Sequence, residues 1–151
     1  MAKEIERKYL VTNDLYKSMA HRVDDIEQAY LCAHPDATVR LRAFNDRGYI
    51  TVKSRNAGAV RHEWEYEIPR SEVDEIIANC RHEGRLIHKK RYIVEYCDKR
   101  WEVDEFLGDL KPLVLAEIEL SAPDEHLELP PFVGEEVTDN PAYFNSVLAA
   151  R

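Results

Sequence analysis

Along most of the chain every second residue is charged and the residues between are apolar or aromatic, the period-two signature of antiparallel strands with two unlike faces. The segment Glu4-Ile5-Glu6-Arg7-Lys8-Tyr9 sends Glu4, Glu6 and Lys8 to one side and Ile5 and Tyr9 to the other. Residues 38–43 repeat the pattern with Arg40 and Arg42, and residues 49–53 set Lys53 opposite Ile50 and Val52. The sign then changes. Glu63, Glu65 and Glu67 alternate with Trp64 and Tyr66, whereas residues 88–92 put Lys89 and Arg91 together. Two acidic segments follow, 101–104 with Glu102 and Asp104, and 116–120 with Glu117 and Glu119.

Helical periodicity is confined to three short stretches. Residues 13–21 form one. Residues 71–80 form a second, with Ser71 and Asp74 in capping-box-like spacing ahead of Ile76 and Ile77. The third begins near Asn140, which can cap, followed by Pro141 in the first turn and an apolar stripe of Tyr143, Phe144, Val147 and Leu148. Such a stripe is commonly core packing, so all three helices are expected to lie against the sheet without chemistry of their own. Pro130-Pro131 reads as a local loop, and no repeat or long linker divides the chain. The prediction is an α+β, mainly β, fold in one domain spanning residues 1–151.

Composition narrows the choice of partner. Charged residues make up 33% of the sequence, above the usual quarter, yet the net charge is -8. That balance argues against non-specific nucleic-acid binding and against anionic membranes, so any anion has to be held locally. No apolar run reaches the roughly eighteen residues of a membrane span, and the first ten residues are too charged for a secretory signal, so the chain reads as cytoplasmic. Cys32, Cys80 and Cys97 are odd in number and widely spaced, as expected of reduced, structural thiols. The six histidines offer no HxxH or HExxH spacing, which disfavours a histidine-ligated zinc. Five glycines form no phosphate-cradling loop, so a bound phosphate would depend on side chains.

A charged sheet face needs no function, since cross-strand ion pairs contribute about 0.2–1 kcal/mol each. An ordinary surface sheet, however, mixes Thr, Ser and Gln with its charges, and here strand after strand offers mainly carboxylate, guanidinium and ammonium groups. Carboxylates on adjacent strands can converge on Mg²⁺ or Mn²⁺, hard cations that take oxygen ligands. Glu4, Glu6, Glu117 and Glu119 suit that role. Arg40 and Arg42, two residues apart, point the same way and present planar forks to phosphate oxygens. A polyphosphate uses both groups at once, bridging metal and cations, whereas a bare metal site needs no cations. Closing the sheet into a barrel would turn the charged faces inward.

The run Glu4-Ile5-Glu6-Arg7-Lys8 resembles the N-terminal ExExK signature of the CYTH family, the triphosphate tunnel metalloenzymes. The resemblance continues through Arg40-x-Arg42, Lys53, Glu63-x-Glu65, Lys89-x-Arg91, Asp104 and Glu117-x-Glu119, nearly the whole chain. It implies an eight-stranded antiparallel closed β-barrel, a tunnel, with a few packed helices, and a divalent metal, Mg²⁺ or Mn²⁺. It also implies a small-molecule triphosphate substrate. Glu4, Glu6, Asp104, Glu117 and Glu119 would then serve metal, while Lys8, Arg40, Arg42, Lys53, Lys89 and Arg91 would hold phosphates. Lys8, Lys89, Glu63 and Glu65 are the catalytic candidates; Glu63 and Glu65 either orient water or a second metal, or pair with neighbouring bases. Tyr30, in Gln28-Ala29-Tyr30-Leu31, either reaches the tunnel or packs.

The activity expected is metal-dependent hydrolysis of inorganic triphosphate, as in compact bacterial inorganic triphosphatases. A class IV-like adenylate cyclase, a thiamine triphosphatase and a non-catalytic polyphosphate or nucleotide binder are the alternatives. Trp64, Tyr66, Tyr92 and Trp101 alternate with the tunnel charges and should face outward, onto helices or onto a partner; a homodimer is what the family resemblance alone allows.

Overall fold

In the computed structural model, which describes residues 2–150, the alternating segments form one antiparallel sheet of nine strands. They are β1 (Ala2–Val11), β2 (Arg22–His34), β3 (Ala37–Phe44), β4 (Arg47–Ser54), β5 (Val60–Ile68), β6 (Glu83–Tyr96), β7 (Lys99–Phe106), β8 (Val114–Glu119) and β9 (Val133–Glu136). The order is β5-β4-β3-β2-β6-β7-β8-β1, and residues 2–5 of β1 pair with β5, so eight strands close into a barrel. Beyond that closure the same edge of β1 turns to β9, where Tyr9 faces Glu136 and Val11 faces Val133.

The period-two pattern explains the barrel's two faces. Ile118, Val103 and Trp101 point outward and pack with Tyr9, Tyr16 and Phe132 beneath α1 (Leu15–Met19) and the chain that precedes β9. Trp101 is fully buried, and Tyr92 meets the edge of Tyr16 at 5.1 Å between ring centres. On the far side α2 (Arg70–Asn79) lays Val73 on Leu41 and Ala43. The outward aromatics therefore divide: Trp101 and Tyr92 are covered, Trp64 stacks on His62, and Tyr66 is 63% exposed.

Three expectations need correction. The second helix starts at Arg70 after Pro69 with no side-chain cap, so Ser71 and Asp74 form no capping box. Asn140 does cap, accepting from the Ala142 amide at 3.1 Å, but it opens a 3-10 turn, Pro141–Tyr143, and the helix α3 (Asn145–Ala150) follows separately. Cys80 and Cys97 are exposed free thiols rather than packed structural ones, and Cys32 is half-buried.

The interior is not charged throughout. At one end Tyr30, Ile87, Phe106 and Leu115 point inward and are sealed by Val137 and by Leu148 and Ala149 of α3. Gly84 permits this approach: its φ is +70°, and a Cβ there would collide with the Ala149 carbonyl. The last helix thus stoppers the barrel instead of lying along its outer wall.

Candidate active site

The other part of the barrel holds a cavity of about 220 Å³ walled by seven carboxylates and six cations. β1 contributes Glu4, Glu6 and Lys8, β3 Arg40 and Arg42, β4 Lys53, β5 Arg61, Glu63 and Glu65, β6 Arg91, β7 Glu102, and β8 Glu117 and Glu119. Tyr30 borders it from β2 while its ring joins the apolar stopper, so both readings of that residue describe part of its environment.

Register sorts the charges. Glu6 lies directly opposite Glu119, and Glu102 directly opposite Glu117, so β1, β8 and β7 make an acidic wall. Like charges facing across strands are destabilising unless something positive lies between them. Glu6 has no salt bridge and no side-chain hydrogen bond among the described residues. Burial, Glu117 and Glu4 together push its pKa well above the usual carboxylate range. Burial, then Glu4 and Glu102, raise Glu119 as well. Glu117 behaves differently: burial is overcome by Lys8, whose Nζ stands 4.0 Å away, and its pKa falls to about 2.

Several acids already have partners. Lys53 Nζ lies 3.1 and 3.0 Å from the two oxygens of Glu4 and 3.2 Å from Glu63. Burial opposes charge on both Lys53 and Glu4, yet their mutual attraction prevails, raising the lysine and lowering the acid. Glu63 is pushed up to about 7 by burial and by hydrogen bonding to Glu4. Glu65 accepts from Thr51 at 2.7 Å and pairs with Arg40 at 3.5 Å.

Arg42 is the cation that stands apart. Its Nε and Nη2 donate to one oxygen, Gln28 Oε1, at 2.9 and 2.8 Å, and it has no carboxylate partner among the described residues. Burial, then Arg40 and Arg91, bring its pKa down to about 9. A buried guanidinium beside two others, held by a neutral amide, leaves its charge available to an anion.

Two predicted site residues do not reach the cavity. Lys89 and Asp104 are 0% and 1% exposed and form an ion pair at 2.7 Å behind its wall. Asp104 also takes Arg91 Nε at 2.8 Å and Nη2 at 3.0 Å, so both its oxygens are engaged. Burial would raise its pKa, but Arg91 and Lys89 hold it well below the ordinary range. Both Asp104 oxygens are thus engaged by cations, and Lys89 reaches the cavity lining only through Asn145, whose Oδ1 accepts from its Nζ at 3.1 Å.

Other cavity residues went unassigned. Arg61 lines it one alternation before Glu63, and extending the period by two residues finds it. Glu102 shows in the alternation but without a role. Phe144, Asn145 and Ser146 also line the cavity, so the C-terminal segment expected only to pack does border the site. Asp25, Glu27 and His88 bring ligand atoms within 4.8 Å of one another, but on the outer face of β2 and β6, apart from these residues.

Known proteins resemble this chain along nearly its whole length. An inorganic triphosphatase of Acetivibrio thermocellus is 48% identical over 151 residues, covering 98% of this chain and 94% of that protein. One from Nitrosomonas europaea is 35% identical over 150 residues, 97% and 96% of the two chains. The crystal structure of the inorganic triphosphatase NE1496 superposes with a TM-score of 0.69 at 32% identity, covering 100% of this chain and 97% of that one. Residues 2–144 match the CYTH domain. With that match spanning the barrel and its charged cavity, the chain belongs to the CYTH domain family.

Proposed function

We propose that the protein hydrolyses inorganic triphosphate to diphosphate and phosphate with a divalent cation, Mg²⁺ or Mn²⁺, bound at the acidic wall. The observation that carries this reading is the facing of Glu6 by Glu119 and of Glu102 by Glu117 across the cavity from Arg40 and Arg42. An oxygen-only set of opposed carboxylates fits a hard dication. Glu6, Glu117 and Glu119 would hold it, and Glu4 would join them by sharing with Lys53. When bound, such an ion neutralises phosphate charge and polarises the phosphorus to be attacked.

Arg42, Arg40 and Arg91 hold the phosphate chain, and Lys8 and Lys53 bind it where the basic and acidic walls meet. Water attacks the terminal phosphorus, the bridging P–O bond breaks, and diphosphate leaves with the electron pair. Glu63, half-buried with a pKa near 7, accepts the water's proton. Glu65, fixed by Thr51 and Arg40, positions Arg40. Lys89 acts from behind, through Asp104 and Arg91. The cavity supports a compact substrate, being smaller than the roughly 300–1,000 Å³ pockets that enclose drug-sized ligands. The names of the relatives from Acetivibrio thermocellus and Nitrosomonas europaea agree with it.

The test is phosphate release from tripolyphosphate, ATP and thiamine triphosphate with Mg²⁺, with Mn²⁺ and with EDTA. Fast metal-dependent release from tripolyphosphate, lost in Glu6→Ala, is the expected result. Preferential turnover of either other compound, cyclic AMP as a product, or no turnover would overturn it.

A further inference from the structure

Two amides, Gln28 and Asn145, connect the cations of the barrel wall. Arg42 and Lys89 can only donate hydrogen bonds. Because Arg42 gives both Nε and Nη2 to Gln28 Oε1, the Gln28 nitrogen must point the other way, and it donates to Asn145 Oδ1 at 3.2 Å. Lys89 Nζ donates to the same oxygen at 3.1 Å. Two independent donors therefore fix the Asn145 amide, since turning it over would set its NH₂ against an ammonium and another NH₂.

The Asn145 nitrogen is left over. Asn145 lines the cavity, and its Nδ2 has no partner among the described residues and is not one of the enclosed polar atoms that lack one. We propose that Asn145 is a substrate-contacting residue, its side-chain nitrogen donating to a phosphate oxygen. This rests on the triphosphatase reading above. A neutral donor suits this spot because further positive charge would be resisted where Arg40 and Arg91 already crowd Arg42. The segment that delivers it is anchored on both sides, by Lys8 Nζ on the Tyr143 carbonyl at 2.9 Å and by the buried Leu148 and Ala149.

Asn145→Asp separates contact from scaffolding. The replacement keeps the oxygen that accepts from Lys89 and Gln28 and exchanges the donor for an anion. If Asn145 only bridges those two residues, kinetics should not change. If it touches phosphate, the KM for tripolyphosphate rises about tenfold or more, with thermal stability equal to or above wild type. Ser146→Asp, which adds a carboxylate to the same cavity lining and leaves the Asn145 donor in place, should raise KM much less. An unchanged KM, an equal rise in Ser146→Asp, or a rise accompanied by a lower Tm overturns the proposal while wild-type turnover keeps the triphosphatase reading intact. A wild-type protein that does not hydrolyse tripolyphosphate removes both.

Discussion

Lys89 and Asp104 lie 2.7 Å apart, Nζ to Oδ2, in a layer behind the cavity, and Arg91 grips the same carboxylate from the tunnel side. Removing the acid strands two buried cations. Asp104→Asn is expected to cost about 3–5 kcal/mol in urea denaturation, the magnitude seen when one partner of a buried pair is deleted. The native carboxyl is depressed, so its contribution is complete above about pH 4 and declines as acid titrates toward the lower native value. Loss under about 1 kcal/mol would show that the pair is not the support proposed for Arg91.

Glu119 faces Glu6 across β8 and β1 and is crowded by the carboxylates of Glu4 and Glu102. Without divalent ion, Glu119→Gln should leave stability unchanged or raise it by about 0.5 kcal/mol. With Mg²⁺ or Mn²⁺, wild type should gain stability by mass action and the variant should gain little. Melting curves with metal and with EDTA decide the matter, and equal metal-induced shifts would remove Glu119 from the metal-binding set.

The raised pKa of Glu63 predicts a pH profile. A proton acceptor must be ionised, so kcat/KM for tripolyphosphate should climb as pH rises through about 7 and level off above. Glu63→Gln should lower the plateau and flatten the acidic limb. If the limb survives the substitution, the proton goes elsewhere.

Gln28 leaves the charge of Arg42 uncompensated. Gln28→Glu would supply the missing carboxylate at the same length. Triphosphate should then bind about tenfold or more weakly, read as KM, while the buried ion pair holds the melting temperature at or above that of wild type. Undiminished affinity would mean that Arg42 is not a main phosphate anchor.

The inward faces of β1, β3, β5 and β8 were legible because one side of each strand is charged and the other apolar, so alternation alone reads them. β2 was not legible as a strand, since Gln28, Ala29 and Tyr30 are buried in succession and the alternation disappears. Alternation also reports direction but not depth. It placed Lys89 and Arg91 on one face correctly, but one is sealed in the wall and the other lines the cavity. The apolar stripe of the last helix foretold burial without saying that the burial would be inside the barrel, which is why Asn145 escaped notice.

The stopper formed by Leu148, Ala149 and the inward residues around Leu115 makes the tube a cup. A cup has a single mouth. Traffic is then two-way through one opening: a linear polyanion enters end first, cannot thread through, and presents its terminus to the site. Diphosphate must depart along the path by which the next substrate arrives, so accumulated product competes at the rim as well as at the site.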